Sequence, residues 1–348
     1  MTTYYAEKSG FVSWLSGLTG RSVFVPAATA TGAWVRRLAG ESPDVPALER
    51  ARAAQSAKGF LMPAAEAVAR YGQGEAKAVA VAAEPVVLVG VRACELRAWR
   101  YLDKVMLGGE FEDPMYRARR EGAAIVSCDC VECAESCCCV LVAGRPFVAE
   151  DDGADINVTA IDGGFIVEVF TETGKELLAS GANWPAATSG QLAKRQAARD
   201  ATVEQLKKQN APYSYAATDE APVPLPEGDD EAWQRHAADC VECGACTHIC
   251  PTCYCFYLYD HRLAEKVAER VRAWDSCLLS TYHRMAGGPQ MKLTPRPELR
   301  SRLANRVLHK FVYSHQQYEL LGCVGCGRCI DACPGAIDIR NVVEDLKQ

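Results

Sequence analysis

Residues 240–255 read CVECGACTHICPTCYC, six cysteines in sixteen positions. Four of them, Cys240, Cys243, Cys246 and Cys250, form a C-x2-C-x2-C-x3-C frame closed by Pro251. The frame returns in CVGCGRCIDACPGAI, as Cys323, Cys326, Cys329 and Cys333 before Pro334. Cysteines spaced by two residues let a tight loop wrap three corners of a compact metal centre. The fourth cysteine, three further on, leaves the loop and points away.

In proteins that hold two [4Fe–4S] clusters on such frames, the departing cysteine ligates the other cluster. That rule assigns one cluster to Cys240, Cys243, Cys246 and Cys333, and a second to Cys323, Cys326, Cys329 and Cys250. Gly244 and Gly327 follow the second cysteine of each frame, where a missing side chain lets backbone N–H groups approach sulfur. Structural zinc favours two separated C-x2-C pairs or Cys/His mixtures, so a zinc-binding scaffold is the weaker reading. Disulfides are disfavoured in reducing cytosol, and no signal peptide is read at the N-terminus.

The chain has 348 residues, 18 cysteines and a net charge of −6. The length suits two or three domains with ample core. A mildly acidic chain argues against nucleic acid as its partner, because that binding rests on Lys and Arg neutralising phosphates. The most apolar stretch, residues 79–91, is too short to span a membrane and is broken by Glu84 and Pro85. A cytoplasmic protein is expected.

The expected fold class is α+β. Residues 1–209 read as a mixed α/β domain. The runs SVFVPA (22–27), VVLVGV (86–91) and AAIVSC (123–128) have the pattern of buried strands. Residues 156–170 read as a hairpin turning at Asp162-Gly163-Gly164. An Ala-rich segment near 47–71 reads as helix, and 191–209 as an exposed amphipathic helix. Residues 210–232, rich in proline and acid, read as a solvated linker.

Residues 233–348 read as an all-α, bacterial-ferredoxin-type two-cluster domain with a helical insertion between its cysteine frames. Leu263, Val267, Val271, Trp274 and Leu278 recur at helical spacing, with Gly287-Gly288-Pro289 as the stop. A second helix begins near Pro297 and carries Leu299, Leu303, Val307 and Phe311 on one face. Its basic run, Lys292, Arg296, Arg300, Arg302, Arg306 and Lys310, reads as a solvated face, with docking to an acidic partner as the sharper alternative.

A second cysteine field, SCDCVECAESCCCV (127–140), matches no frame. Its spacing suggests a third metal centre with ligands unassigned, or else a set of buried structural thiols. The histidines form no metal array, and His248, inside the first frame, reads as a surface or supporting residue. No phosphate loop, dinucleotide fingerprint or nucleophile signature is present.

The chain resembles the iron–sulfur protein shared by sulfhydrogenases, where it is the beta subunit, and by anaerobic sulfite reductases. The resemblance rests on KGFLMPAAE (58–66), GVRACELRAWRYLDKVML (90–107), DPMYRARRE (113–121) and IVSCDCVECAESCCC (125–139). CPTCYCF (250–256), RAWDSC (272–277) and the paired frames complete it. The resemblance implies an additional [4Fe–4S] cluster on Cys94, Cys130, Cys137 and Cys139, making three. Cys128, Cys133 and Cys138 are extra thiols in that field, and Cys133 could replace Cys130. Cys253, Cys255 and Cys277 read as packing around the clusters.

Three one-electron centres without a visible flavin, nicotinamide or substrate site describe a relay rather than an enzyme catalytic alone. The resemblance implies a flavin-containing, NAD(P)H-linked partner on one side. On the other it implies a catalytic partner, a nickel–iron hydrogenase or a sirohaem sulfite reductase. The alternative is a heterodisulfide-reductase-like protein, whose N-terminal cysteine field would hold a substrate-active cluster.

Overall fold

The computed structural model describes residues 2–27, 33–36, 48–72, 75–80, 84–227, 230–285 and 294–347. The strands are β1 (Thr2–Glu7), β2 (Ser22–Pro26), β3 (Trp34–Arg36), β4 (Ala65–Gly72), β5 (Glu75–Ala78) and β6 (Val86–Val91). They continue with β7 (Ala123–Cys128), β8 (Ile156–Ile161), β9 (Gly164–Val169), β10 (Phe256–Ala264) and β11 (Val267–Trp274).

The first sheet has the order β1-β9-β8-β7-β6-β2-β3. Its centre is parallel, from β2 through β6 and β7 to β8, and its flanks are antiparallel. Central parallel strands are covered on both faces, which is why β6 and β7 read as unbroken apolar runs. The helices α1 (Lys8–Gly17), α2 (Lys58–Leu61), α3 (Ala93–Leu107) and α4 (Pro114–Gly122) come from the N-terminal half. One face of the sheet packs Phe11, Trp14 and Leu15 of α1 on Val87, Val126 and Phe165. The other packs Leu96, Trp99 and Leu102 of α3 on Leu88, Val91 and Ile125. Asp113 starts α4 by accepting hydrogen bonds from the N–H groups of Met115 and Tyr116, ahead of Pro114 at the first helical turn.

The strands expected at 22–27, 86–91 and 123–128 are present, as is the hairpin β8–β9. Gly163 supplies the positive φ its two-residue turn needs. α5 (Glu172–Ala179) follows, then α6 (Ser189–Gln209), the expected exposed helix. The Ala-rich segment departs from expectation. Only Lys58–Leu61 is helical, and from Ala65 the chain runs as β4.

The larger correction lies after residue 255. The apolar spacing taken for a helix belongs to the antiparallel pair β10–β11, and a second sheet is built in the order β10-β11-β4-β5. Cross-strand charge decides this register: Asp260 lies opposite Arg270, and Arg70 of β4 opposite Glu269. The C-terminal part is therefore not all-α, and it borrows β4 and β5 from the N-terminal half. Gly287-Gly288-Pro289 lie outside the described residues.

The remaining helices are α7 (Trp233–Ala237), α8 (Ala245–His248), α9 (Leu299–Leu308), α10 (Ser314–Tyr318), α11 (Arg328–Asp331) and α12 (Ile339–Leu346). α9 starts after Glu298, with Pro297 just outside it, and runs into α10 through a wider turn at His309–Tyr313. Leu303, Val307 and Phe311 are buried on the expected face.

Residues 210–227 are extended, but they are not a solvated linker. Tyr215, Ala217 and Val223 are buried with Trp233, Phe311 and Val343. Tyr213 donates to Asn341, and Ser214 and Leu321 bond to Glu344 and Asp219. The same core takes Cys138, Leu141 and Val142 from the N-terminal half. Composition marked the segment as extended; its tyrosines and valine give it somewhere to pack.

Trp233 is fully buried at the centre of that core, its Nε1 donating to the Glu227 carbonyl at 2.8 Å. Trp233→Ala is expected to destabilise the protein by about 3–5 kcal/mol, read as a lower urea midpoint by circular dichroism.

Candidate metal centres

The two cysteine frames fold alike, backbone and all. Glu242 and Gly325, each two residues after the first cysteine, take φ of 56° and 65°. Gly244 and Gly327, four residues after it, take 70° and 72° and lead into the single turns α8 and α11. In this conformation the N–H of Glu242 reaches the Cys240 sulfur, and that of Gly325 reaches Cys323. The repeat seen in sequence is thus a repeat of local geometry, and glycine permits it without strain.

Around the first frame, Cys240, Cys243, Cys246 and Cys333 line one cavity. Leu278, Leu303, Arg306, Ile337 and Cys329 of the second frame share its wall. Cys333 therefore returns to the first frame, as the spacing rule expects. Cys250 lies between the frames: its charge is felt at Cys323 and Cys329 of the second and at Cys246 of the first. Burial pushes these two thiols up to about 11 and about 12. Lys310, fully enclosed, donates to Thr252 Oγ1 at 2.7 Å, and that hydroxyl lies 3.2 Å from Cys250 Sγ.

The N-terminal field forms a separate cavity, lined by Cys94, Cys130, Cys133, Cys137 and Cys139. Gly325 and Cys326 of the second frame complete its wall. Cys94 sits in the first turn of α3, where the helix dipole favours a thiolate. Cys130 is lowered to about 7, chiefly by a hydrogen bond from Cys133, while burial raises Cys94. The four residues singled out by resemblance share one cavity, and Cys133 shares it too. Cys128 and Cys138 do not. Cys128 ends β7 with its sulfur 3.4 Å from the Leu48 carbonyl, and Cys138 packs in the C-terminal core near Cys323 and Cys329.

A buried polar network supports the Cys128–Cys130 loop. Asp129 accepts from Val148 N, Asn157 Nδ2, Thr159 Oγ1 and Arg199 Nε at 2.6–3.1 Å. The loop carrying Cys137–Cys139 docks directly on the second frame. Cys138 N–H donates to the Gly325 carbonyl at 2.8 Å, and a Cβ on Gly325 would meet Cys139 Cα at 2.5 Å. Behind this contact, Arg328 and Glu95 form an ion pair of 2.5 Å with both side chains 1% exposed.

Two features escaped sequence reasoning. The basic run is not solvated: Arg302, Arg306 and Lys310 are 4–6% exposed and face inward, which removes both the solvated-face reading and the docking reading for them. Lys292 lies outside the described residues. Lys58 is also buried, donating to the carbonyls of His248 and Cys253 over the Trp274 ring. The leftover thiols pair off, with Cys253 bonded to Cys250, and Cys255 bonded to Cys277 and lowered to about 6 by it. His248 stacks on Trp274.

Among the described residues, no three His, Cys, Asp or Glu side chains converge tightly enough to hold a single metal ion. The thiols stand back around cavities instead. Groups of four or more soft sulfur donors, inward N–H groups and buried cations together suit an iron–sulfur cluster, whose charge is negative and whose sulfurs accept hydrogen bonds.

Residues 239–337, which contain both cysteine frames, match the family described as a 4Fe-4S dicluster domain. The chain is similar to the sulfhydrogenase 2 subunit beta of Pyrococcus furiosus, with 29% identity over 271 residues. That alignment covers 75% of this chain and 74% of the relative. The resemblance read from sequence motifs is thus present over most of the chain. No solved structure matches it.

Gly325→Ala is expected to destabilise the protein by about 1–3 kcal/mol through overpacking against Cys138 and Cys139. The Cys138 amide, now hydrogen-bonded to residue 325, should then exchange with solvent faster in native-state hydrogen exchange.

Proposed function

We propose that this chain is the iron–sulfur electron-transfer subunit of a cytoplasmic oxidoreductase complex, holding three [4Fe–4S] clusters in series. The ligands are Cys240, Cys243, Cys246 and Cys333 for the first cluster, and Cys250, Cys323, Cys326 and Cys329 for the second. Cys94, Cys130, Cys137 and Cys139 hold the third. One observation carries the series: the second frame touches both neighbouring cavities, Cys329 lining the first and Cys326 lining the third.

Each cluster, when bound, supplies one-electron exchange without proton bookkeeping. This chain's residues do the rest. The two αL turns of each frame aim N–H groups at sulfur and so favour the more negative, reduced state. The apolar walls, among them Leu278, Leu303, Val324 and Ala98, keep water out and raise the effect of every nearby charge. The shared frame residues hold neighbouring sites at a fixed separation.

The first site reaches the surface, with Cys243 and Val241 exposed beside it, and the N-terminal site does so beside Glu132. One redox partner approaches at the first site. The relative's name, a sulfhydrogenase subunit, supports a hydrogenase as the catalytic partner; a flavin and NAD(P)H-linked subunit is proposed on the other side of the relay.

Anoxically purified protein should contain about twelve irons, in proportion to three four-iron clusters. Cys94→Ser should lower this to about eight and remove one electron paramagnetic resonance signal while sparing two. Eight irons in the unaltered chain would remove the third cluster, and zinc in place of iron would end the reading. Isolated protein that by itself reduces a disulfide substrate would favour a heterodisulfide-reductase-like role.

A further inference from the structure

Arg306 stands apart from the other buried cations. It lies on α9, 5% exposed, in the wall of the first cavity beside Cys246, Cys329 and Cys333. It also lies within electrostatic reach of Cys250 and Cys253. It is therefore placed between the two frames rather than behind one of them.

Its neighbours are neutralised or bonded. Arg302 pairs with Glu242 at 2.7 Å, Arg328 pairs with Glu95, and Lys310 donates to Thr252. Arg306 has no such partner: its Nε lacks any hydrogen-bond acceptor, and no carboxylate stands within ion-pair distance among the described residues. A guanidinium stays ionised even when buried, and an uncompensated one in a dry wall is costly. The compensation has to come from negative charge held at the cysteines of the two frames that it faces.

We propose that Arg306 is the shared electrostatic bridge of the two frame clusters, raising both reduction potentials together. The inference rests on the two-cluster reading of the frames. Each cluster gains negative charge on reduction, and a fixed cation at short range in a low-dielectric wall favours that charged state. Because the cation faces both sites, it acts on both. Arg328 differs, since Glu95 cancels most of its field.

The test is a redox titration, followed by electron paramagnetic resonance, of the full chain in its native complex. Arg306→Met and Arg306→Lys are compared with the unaltered protein, alongside iron content. Arg306→Met should lower both frame-cluster midpoints by the equivalent of at least a tenfold change in the reduction equilibrium, about 59 mV for a one-electron couple. Arg306→Lys should keep most of the original values. Arg306→Gln, which stays polar but loses the charge, gives the same reading if the methionine variant fails to load iron. Unchanged midpoints in a fully loaded neutral variant overturn the proposal, as does a shift confined to one cluster. Absence of two frame-cluster signals in the unaltered protein would instead overturn the cluster reading itself.

Discussion

The buried ion pair between Glu95 and Arg328 is the contact on which the rest of the arrangement depends. Both side chains have left water, and each supplies the counter-charge that offsets the cost of burying the other. Glu95 follows Cys94 in the first turn of α3, and Arg328 stands between Cys326 and Cys329. The pair therefore ties one cysteine site to the next through a single short bridge. Arg328 Nε adds bonds to the Ala53 and Ala54 carbonyls, while Ser56 donates to Glu95. Arg52, from the same segment, bonds to the Cys326 carbonyl, Ser136 and Asp331. Losing one partner of such a pair strands a buried charge, at a cost of about 3–5 kcal/mol. The relative placement of the cysteine sites is thus fixed by electrostatics as well as by packing.

That constraint explains why the chain does not divide where its composition changes. The Pro- and acid-rich stretch after residue 209 looks like a boundary, yet Tyr215 meets Phe311 edge-on at a centroid distance of 6.3 Å. β4 leaves the N-terminal half to pair with β11. Arg272 of β11 then pairs with Glu66 of β4 and with Asp113, the cap of α4. A relay needs neighbouring redox centres held still, and interlocked halves provide that rigidity better than a linker could.

The cysteine frames were legible because their spacing is a covalent constraint: the loop length alone decides which thiols can share a centre. The sheet core was legible because parallel strands must be apolar on both faces, as VVLVGV and AAIVSC are. The β10–β11 pair was not. Its stretch is rich in Ala, Glu, Lys and Arg, which favour helix locally, and its Leu and Val happen to fall at helical spacing. Pairing with β4 overrides that preference, and the only sequence trace is the opposed charges at 260/270 and 261/269. For the N-terminal field, spacing suggested only a centre with ligands unassigned, and the set Cys94, Cys130, Cys137 and Cys139 came from the resemblance, since these cysteines belong to two elements that spacing cannot bring together. Arg302, Arg306 and Lys310 were misread for a related reason. Basic residues at intervals of four look solvated unless the groups they face can be seen, and here Arg302 faces Glu242 while Arg306 and Lys310 face the cysteines.

The insertion between the frames follows from the same need. Two four-cysteine frames require only a short connection to exchange their fourth ligands. Here the connection instead carries β10, β11 and α9. α9 lays Leu303 and Val307 into the core while turning Arg306 and Lys310 toward the cysteines. Burying those cations would be unfavourable in a protein whose cavities held nothing charged, because neither has a carboxylate partner among the described residues. It becomes favourable once negative clusters lie on either side. The insertion and the clusters are then mutually stabilising. On this argument iron–sulfur loading should be coupled to the folding of α9, and the basic stripe that seemed to belong to the surface is part of the site.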